Sequence, residues 1–434
     1  MNLLVTNTRN AQAYAIIRAL RPYARKIVVT MYGKTRFTAR FSHAAHSRLV
    51  DKRYCVPSPV EDWRAGNIQR ENTEREEAYI RAVLRICEVE QIDTIFPSWD
   101  PKVYVFSKNK ERFEKIGVLI PVPHYETVLV PLDKYRTIQA AQEVGFPCPR
   151  THLPESENDL PRISEELGFP LVIKPRFTSA GRGMQIVTDF SQLSERIRHL
   201  NEAEGMPMVQ EYIPGKQRLD FNLLLDKKGE LKFGFCGKEL RNFLRLNTNL
   251  PTATESMAPH PYLPSAAGFV RKLGWWGAAD VETKIDVRDG LPKLMEINPR
   301  LGRRLWRRTH LGINEPLMCI RIAKGEEVET VKDYPVGTVL LDPIEDLTGL
   351  CLGLIDLLIY RFRIGVQGKA PLDPLNPPMH LRELIRSYKD TYFGAKPRAF
   401  NPYFRYFFQE PLVSILWWLQ FASIGLRAAN QLGR

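Results

Sequence analysis

The first thirty residues carry the pattern that most restricts the fold: a strand, a helix and a second strand in succession. Three segments form it: NLLVT at 2–6, AQAYAIIRAL at 11–20 and KIVVTM at 26–31. Such a unit joins parallel neighbours in one sheet, because the helix carries the chain back to the starting edge. A helical pattern over 74–90 and an apolar run over 92–97 repeat it. The sequence therefore predicts an α/β, Rossmann-like doubly wound domain over residues 1–122.

The turn after the first predicted strand argues against a dinucleotide site. It reads TNTRN at 6–10 and contains no glycine, whereas dinucleotide binding uses a G-x-G-x-x-G turn at this place. We expect this domain to contribute one wall of a cleft rather than to bind a dinucleotide.

Composition restricts the class of protein without choosing a partner. The chain has 434 residues, of which 44% are hydrophobic and 26% charged, which is typical of globular proteins. The net charge of +13 suits phosphates, polyanions or an anionic membrane surface. The six cysteines form no Cys-x-x-Cys pair, and the start has no charged leader. Both observations favour a reducing, cytoplasmic compartment.

A segment rich in carboxylates, AADVETKIDVRDGLPKLMEINPR at 278–300, predicts a hairpin that turns about Asp289. Its predicted cross-strand pairs are Glu282 with Glu296, Asp280 with Asn298, and Lys284 with Leu294. Like charges directly opposite each other are destabilising, and a cation between them removes that cost. Oxygen ligands alone suit Mg²⁺ and disfavour zinc. The alternative is an exposed hairpin face with solvated charges.

A glycine-bearing loop follows Lys174, which ends a predicted strand. Ser179, Gly181 and Gly183 lie in this loop, whose backbone N–H groups could surround an anion. Lys134, at the start of a predicted helix, is a second candidate for contact with phosphate. An ordinary solvent-exposed hairpin and a surface lysine are the alternatives.

Five segments in this order resemble the ATP-grasp superfamily, and in particular its carboxylate–amine ligases, carbamoyl-phosphate synthetase and biotin carboxylase. They are LDKYRTIQAAQEVGFPCPRT, FPLVIKPRFTSAGRGMQIV, MVQEYIPG, FCGKELRNF and VETKIDVRDGLPKLMEINPRLG. The resemblance implies a pre-ATP-grasp domain at 1–122, a two-subdomain ATP-grasp module at 123–330, and a mostly helical, apolar C-terminal extension at 331–434.

The resemblance also implies roles for individual residues. The implied ATP contacts are Lys134, Lys174, the lid loop at 176–184 with Ser179, Gly181 and Gly183, the adenine segment Glu211, Tyr212 and Ile213, and Asp220 at the ribose. The implied ligands of Mg²⁺, with Mn²⁺ as an alternative, are Glu282, Glu296 and Asn298. The residues implied to stabilise the reacting groups are Lys238, Arg241 and Arg300.

The implied activity is an ATP-dependent ligase that joins a small-molecule carboxylate to an amine through an acyl phosphate. A non-catalytic ATP-binding protein that docks on a membrane or a partner is the second hypothesis. Nucleic-acid binding ranks last, because only Trp306 offers an aromatic platform among the arginines at 300–308. Those arginines either bind an acidic or phosphorylated substrate or form a solvated basic face. An oligomer remains open.

The last hundred residues differ in character from the rest. Residues 347–362 and 404–426 are strongly apolar, and residues 380–434 contain eight Lys and Arg against three Asp and Glu. The uncharged run at 411–426 would span about 24 Å as a helix, less than the ~30 Å of a bilayer core. Three hypotheses stay open: contact of residues 404–430 with the inner, anionic membrane face, packing against protein, and a spanning helix.

Overall fold

The computed structural model describes residues 1–32, 41–59, 73–178, 181, 183–215, 217–242, 251–365 and 381–420. It forms two compact units. The first unit contains Met1–Gly237 and Ala258–Tyr334, and the second contains Lys238–Met257 and Pro335–Arg434. The division of the chain into three domains at residues 122 and 330 stays a prediction.

The strands have the following bounds: β1 (Asn2–Val5), β2 (Lys26–Met31), β3 (Lys52–Cys55), β4 (Thr94–Phe96), β5 (Thr151–His152), β6 (Leu171–Lys174), β7 (Gln185–Val187), β8 (Met208–Glu211), β9 (Arg218–Leu225), β10 (Leu231–Asn242), β11 (Pro251–Met257), β12 (Gly277–Ile285), β13 (Pro292–Asn298), β14 (Val339–Leu341) and β15 (Arg398–Phe400).

The α-helices have the following bounds: α1 (Ala11–Leu20), α2 (Thr73–Glu90), α3 (Asp100–Lys108), α4 (Lys110–Glu114), α5 (Tyr125–Leu132), α6 (Lys134–Glu143), α7 (Leu160–Leu167), α8 (Phe190–Glu204), α9 (Leu263–Lys272), α10 (Leu305–His310), α11 (Glu315–Lys324), α12 (Pro343–Gly365), α13 (Leu381–Phe393) and α14 (Pro402–Arg405). Residues 411–420 are also helical.

The N-terminal part of the first unit contains the predicted parallel sheet. Its strand order is β3-β2-β1-β4, and every neighbouring pair is parallel. Leu3, Leu4 and Val28 are fully buried in its core. All six cysteines are free thiols, in agreement with their scattered positions in the sequence. The α/β fold expected for this region is confirmed.

The middle part of the first unit is an antiparallel sheet with the strand order β5-β8-β6-β7. Its apolar face packs on α7 and α8 in one buried cluster that includes Leu171, Ile173 and Ile197. Asp189 caps α8 by accepting a hydrogen bond from the backbone N–H of Gln192. The sheet therefore holds Lys174 at the end of a buried strand.

The carboxylate hairpin lies in another sheet of the first unit, in which β13, β12 and β9 are successive antiparallel neighbours. The predicted pairs Glu282 with Glu296 and Asp280 with Asn298 are confirmed. The predicted pair Lys284 with Leu294 is wrong, because a register shift after Glu282 pairs Lys284 with Lys293. A bulge of this kind bends the strand and redirects its side chains, and bulges are frequent beside functional sites.

The second unit contains more sheet than the sequence indicates. Its strands follow the order β11-β14-β15, so the mostly helical C-terminal extension also has two short strands. In the part of the chain that the structure describes, no helix is long and apolar enough to cross a membrane. The proline-rich segment 371–378 and residues 421–430 lie outside the described residues.

Candidate active site

Three oxygen-bearing side chains meet on the hairpin of β12 and β13. Glu282 lies opposite Glu296 in the register, and Asn298 Nδ2 donates a hydrogen bond of 2.8 Å to Glu282 Oε1. Asp220 on β9 lies opposite Glu282 on the other side, so three adjacent strands place carboxylates in one row. The three predicted metal ligands are therefore brought together, and Asp220 is their neighbour in the sheet.

This donor set fits a magnesium ion. It supplies two carboxylates and one amide, all with oxygen donors, and leaves room for water or phosphate oxygens to complete the coordination shell. No group of three or more His, Cys, Asp and Glu side chains that could hold a metal ion occurs in the residues that the structure describes.

Lys134 is placed beside these carboxylates by the cap of its own helix. Asp133 caps α6 by accepting from the backbone N–H of Tyr135, and it also forms an ion pair with Arg176. Capping fixes the first turn of a helix, so the side chain that follows the cap has a defined direction. Lys134 Nζ lies 3.6 Å from Glu296 Oε2 and donates to the carbonyl of Thr178. Asp133 and Lys134 thus connect α6 to the glycine-bearing loop and to the carboxylate hairpin.

Lys174 is the second cation of the site, and its amine is buried. Its Nζ donates a hydrogen bond of 2.7 Å to Gln210 Oε1, and Gln210 Nε2 donates in turn to Thr151. Burial lowers the pKa of Lys174 to about 7, with the neighbouring Glu296 raising it and Lys134 lowering it. A neutral amide, rather than a carboxylate, therefore holds this lysine, and the amine is poised to gain a proton when an anion arrives.

Mg-ATP binding should take up a proton through Lys174. At pH 8 the unliganded amine, with a pKa of about 7, is mostly neutral, and an adjacent phosphate favours its charged form. At pH 6 the amine is already charged, so no uptake is expected there. Titration calorimetry in buffers of different ionisation enthalpy would measure this uptake. We expect up to about one proton at pH 8 in the wild type and clearly less in Lys174→Met.

Lys228→Met, which replaces an exposed lysine, serves as the matched control for that experiment. Equal proton uptake by the wild type and Lys174→Met at pH 8 would contradict the assignment of Lys174 to the phosphates.

The predicted lid loop is described in part. Gly181 and Gly183 both have positive φ angles of 67° and 69°, a conformation that glycine adopts without strain. A Cβ atom on Gly183 would lie 2.6 Å from Pro175 Cγ, so the loop can close on its own strand only with glycine here. Ser179 lies outside the described residues. Its predicted contact with ATP stays a prediction.

The predicted adenine segment begins at Glu211, the last residue of β8. Hydrogen bonds and ion pairs hold it in place. The Glu211 carboxylate accepts from the backbone N–H of Arg150 at 2.9 Å and from Arg288 at 3.1 Å. Lys284 Nζ donates to the carbonyl of Ile213 at 2.6 Å and lies 4.8 Å from the centre of the Tyr212 ring. Because the Glu211 side chain already has these partners, adenine contact through the backbone, as the resemblance implies, is the simpler arrangement.

Arg300 connects the carboxylate hairpin to the region of the N-terminal sheet. Its Nε donates to Asp100 Oδ1 at 2.6 Å, and its Nη2 donates to Asn298 Oδ1 at 3.0 Å. Loss of solvent lowers the pKa of Arg300, but the Asp100, Asp280 and Glu282 carboxylates outweigh this and raise the pKa, which keeps the guanidinium charged. A cleft in this region is lined by Asp100, Pro101, Pro131, Leu132, Lys134, Phe177, Thr178, Glu296, Ile297, Asn298 and Pro299. Arg300 therefore stands beside a cleft that already contains a lysine and a candidate metal ligand.

The arginines after residue 300 are not a solvated basic face. Arg304, Arg307 and Arg308 are all buried. Arg308 Nε donates to Glu315 at 2.6 Å, and its Nη1 donates to Asn222 at 2.8 Å. The solvated alternative is therefore wrong, because an exposed helix face cannot have these pairs. Binding of an acidic or phosphorylated substrate by this cluster stays a prediction.

A network of buried hydrogen bonds extends from Arg308 to the carboxylate hairpin. Asn222 accepts from Arg308 and donates to Asp280, whose pKa burial raises to about 6. Gly302 packs against the same carboxylate, since an added Cβ would lie 2.9 Å from Asp280 Oδ2. This network supports β12 next to the three candidate ligands.

The other two residues predicted to act on the reacting groups lie in the second unit. Lys238 is exposed on β10. Arg241 is buried, donates to both carboxylate oxygens of Asp346, and stacks 4.0 Å from the centre of the Tyr388 ring. The roles proposed for Lys238 and Arg241 stay predictions, and Arg241 has a complete set of structural partners.

Comparison with known proteins agrees with this geometry. Residues 133–331 match the model of the carbamoyl-phosphate synthase L chain ATP-binding domain, and residues 72–121 match the model of the PylC-like N-terminal domain. The resemblance to the ATP-grasp superfamily is confirmed. The region that matches the ATP-binding domain thus includes Lys134, Lys174, the carboxylate hairpin and Arg300.

Relatives of known sequence match about half of the chain. The N-terminal section of the carbamoyl phosphate synthase large chain of Methanopyrus kandleri is 23% identical over 235 residues, which is 51% of this chain and 42% of that protein. The arginine-specific large chain of Bacillus subtilis is 24% identical over 246 residues, 51% of this chain and 21% of that protein. The match therefore spans less than half of each of these relatives.

Solved structures share the fold. The biotin carboxylase domain of the 2-oxoglutarate carboxylase of Hydrogenobacter thermophilus, solved with MgADP and bicarbonate, has a TM-score of 0.61 at 17% identity, covering 78% of this chain and 73% of that one. The L-amino acid ligase of Bacillus licheniformis has a TM-score of 0.55 at 19% identity and 76% coverage of both chains. The mixed α/β ATP-grasp fold is thereby established for this chain.

Several residues of the site were missed by sequence reasoning. Asp100 had a usable signal, since Asp-Pro after a strand is typical of a helix start at the carboxyl edge of a parallel sheet. Gln210 could not be assigned from the sequence, because its role in holding Lys174 depends on the register of β6 and β8. Asn222 and Glu315 gave no local signal, because their partners are distant in sequence.

Proposed function

We propose that the protein is a Mg-ATP-dependent ligase that activates a substrate carboxylate as an acyl phosphate and transfers the acyl group to an amine. The convergence of Lys134 and Glu296, 3.6 Å apart, beside Lys174 and Asn298, supports this most strongly. A carboxylate that attacks a triphosphate is an anion approaching an anion. Such a reaction needs fixed positive charge more than it needs a general base.

The residues of this chain would have different roles in this reaction. Lys134 and Lys174 bind the phosphates of ATP, and the loop at 176–184 covers them. Glu282, Glu296 and Asn298 would hold magnesium, which when bound neutralises charge on the phosphate oxygens. Arg300, kept charged by Asp100, orients the substrate carboxylate toward the γ-phosphorus.

The two steps balance as follows. A carboxylate oxygen forms a bond to the γ-phosphorus, the bond from that phosphorus to the β,γ-bridging oxygen breaks, and ADP leaves. The amine then attacks the acyl carbon, and the bond between that carbon and the oxygen that links it to phosphorus breaks. Phosphate leaves with this oxygen, which came from the original carboxylate. The amine loses its proton to solvent or to phosphate.

The experiment that tests this function is ADP release by the full chain with Mg-ATP and pooled small carboxylates, with and without pooled amines. The ligase requires ADP release that depends on one carboxylate pool, and a product whose mass equals the acid plus the amine minus one water. ATP binding without release in any combination would favour the second hypothesis, a non-catalytic ATP-binding protein.

We also propose that the second unit contacts an anionic membrane surface. Four exposed apolar side chains on α12 support this: Leu347, Ile355, Leu358 and Phe362. Their spacing puts them near one face of the helix. Phe408, in the segment at 404–430, is 94% exposed as well. Residues 380–434 have a surplus of five positive charges, which complements anionic lipid.

Vesicle sedimentation of the full chain tests this contact. We expect the wild type to sediment with vesicles of phosphatidylserine and phosphatidylcholine, and less with phosphatidylcholine alone. The double variant Leu358→Glu/Phe362→Glu should lose about 10-fold or more of this binding, because two charges replace the apolar contacts. Val89→Glu, at an apolar residue that is 64% exposed in the first unit, is the matched control. Equal sedimentation of both variants would refute the contact.

A further inference from the structure

Buried polar atoms collect at the carboxyl end of the N-terminal parallel sheet. Thr6 and Asn7 follow β1 and are buried, and Asn7 has a positive φ of 56°. In the described part of the chain, Thr6 Oγ1, Asn7 Oδ1 and Ser42 Oγ have no hydrogen-bond partner. Buried polar atoms are nearly always paired in folded proteins, so each of these needs an explanation. The carboxyl edge of a parallel sheet is also where α/β domains bind their ligands.

Lys102 is the charged member of this group. It lies in the first turn of α3, directly after β4, and its side chain is 1% exposed. Its Nζ lies 3.7 Å from the centre of the Tyr79 ring and 5.1 Å from that of Tyr32, whose ring stacks parallel to Trp99. Among the described residues its Nζ has no hydrogen-bond acceptor.

A buried ammonium without an acceptor is unfavourable for the fold. Contacts with aromatic rings return only part of the hydration free energy that a lysine amine loses on burial. Burial accordingly holds the pKa of Lys102 well below its usual range. Methionine would fill the same space between the two tyrosine rings without this cost. A lysine at this position is therefore explained more simply by a ligand than by packing.

The edge that contains Lys102 is connected to the ATP-grasp site within the first unit. Asp100, two residues earlier in the same helical turn, forms the ion pair with Arg300 and lines the cleft. Asn10 donates a hydrogen bond of 3.0 Å to the carbonyl of Ser98, and Gln12 donates to the carbonyl of Leu301. A molecule bound at this edge therefore contacts elements that are in direct contact with the catalytic arginine.

We propose that the carboxyl edge of the β3-β2-β1-β4 sheet binds a carboxylate group of a small-molecule substrate, with Lys102 Nζ as its charged donor. The neutral hydroxyls of Thr6 and Ser42 complement Lys102 as donors to a singly charged carboxylate. The aromatic walls formed by Tyr32 and Tyr79 suit an apolar or small body attached to that group. The identification of the bound group as a substrate rests on the ligase function proposed above.

Thermal unfolding without ATP tests the binding site independently of turnover. The probes are acetate, glycine and L-glutamate as sodium salts, each compared with sodium chloride at the same ionic strength. We expect at least one of them to raise the Tm of the wild type beyond chloride. The variant Lys102→Met should have a higher Tm than the wild type in chloride, and no carboxylate should raise it further.

Lys110→Met is the matched control, because Lys110 is also buried but donates a hydrogen bond of 2.8 Å to the carbonyl of Val122. We expect it to lower the Tm and to keep the carboxylate response. No carboxylate response in the wild type, or the same response in Lys102→Met, would overturn the proposal. Since ATP is absent, a failure of the ligase assay would leave this result unaffected.

For a substrate found in the ligase screen, Lys102→Met should raise the KM for the carboxylate about tenfold or more, with the KM for ATP unchanged. A fall in kcat alone, with both KM values unchanged, would contradict a binding role.

Discussion

Glu296→Gln should lower ADP release at least about 100-fold while the protein stays folded. Glu296 lies opposite Glu282 in the hairpin and 3.6 Å from Lys134, so it shares in both the candidate metal set and the phosphate-binding cations. The amide has the same shape, but it lacks the charge that binds Mg²⁺ and balances the lysines. The measurement is coupled ADP detection together with titration calorimetry of Mg-ATP.

The matched control is Glu165→Gln, an acid-to-amide change on α7 in the same unit, exposed and distant in the sequence from the hairpin. It should keep wild-type activity. Full ADP release by Glu296→Gln at saturating magnesium would remove this residue from the site. A loss of folding, seen by circular dichroism, would show that the carboxylate has a structural role instead.

Arg308→Met should lower the free energy of unfolding by about 3–5 kcal/mol. Arg308 is 3% exposed and pairs with Glu315, which is 1% exposed, at 2.6 Å. Removal of the guanidinium leaves the Glu315 carboxylate buried without its counter-ion and takes a donor from Asn222, which supports Asp280. Urea unfolding followed by tryptophan fluorescence measures the change.

Two further variants separate the buried pair from a general effect of losing an arginine. Arg321→Met, on the neighbouring helix α11, removes an exposed side chain that lies 3.9 Å from Glu326, and it should cost less than about 1 kcal/mol. The double variant Arg308→Met/Glu315→Leu should recover much of the loss, since no Glu315 carboxylate then remains buried without its counter-ion. Similar stabilities for Arg308→Met and Arg321→Met would contradict the role of the network.

Short sequence patterns predicted two strand pairs and one helix cap that position residues of the candidate site. Alternation of residues and one turn sufficed to pair Glu282 with Glu296 and Asp280 with Asn298. Asp-Lys before a helical pattern located Lys134 because a cap has a strong local preference. The register failed at Lys284, since the bulge depends on packing that no local pattern encodes: Leu294 N donates to the carbonyl of Pro147.

Contacts between distant segments were not accessible from the sequence. The pair of Asp100 with Arg300 joins residues 200 positions apart, and the pair of Arg241 with Asp346 joins residues 105 positions apart. A run of charged residues is usually solvated, so Arg304, Arg307 and Arg308 gave a misleading signal. The burial of Arg308 follows from its bonds to Glu315 on α11 and Asn222 on β9, two residues that come together only in the folded first unit.

The most direct test of the proposed chemistry follows the oxygen atoms. Small carboxylic acids are equilibrated in acid with ¹⁸O-labelled water, neutralised, dried to remove that water, and incubated in unlabelled water with the wild type, Mg-ATP and pooled amines. Mass spectrometry of the released phosphate then reports the origin of its oxygens. Activation as an acyl phosphate predicts one ¹⁸O atom in the phosphate for each bond formed to an amine, and at least about 100-fold less labelled phosphate from Glu296→Gln in the same time. Unlabelled phosphate released in step with product would show that the carboxylate is not phosphorylated and would contradict the ligase mechanism.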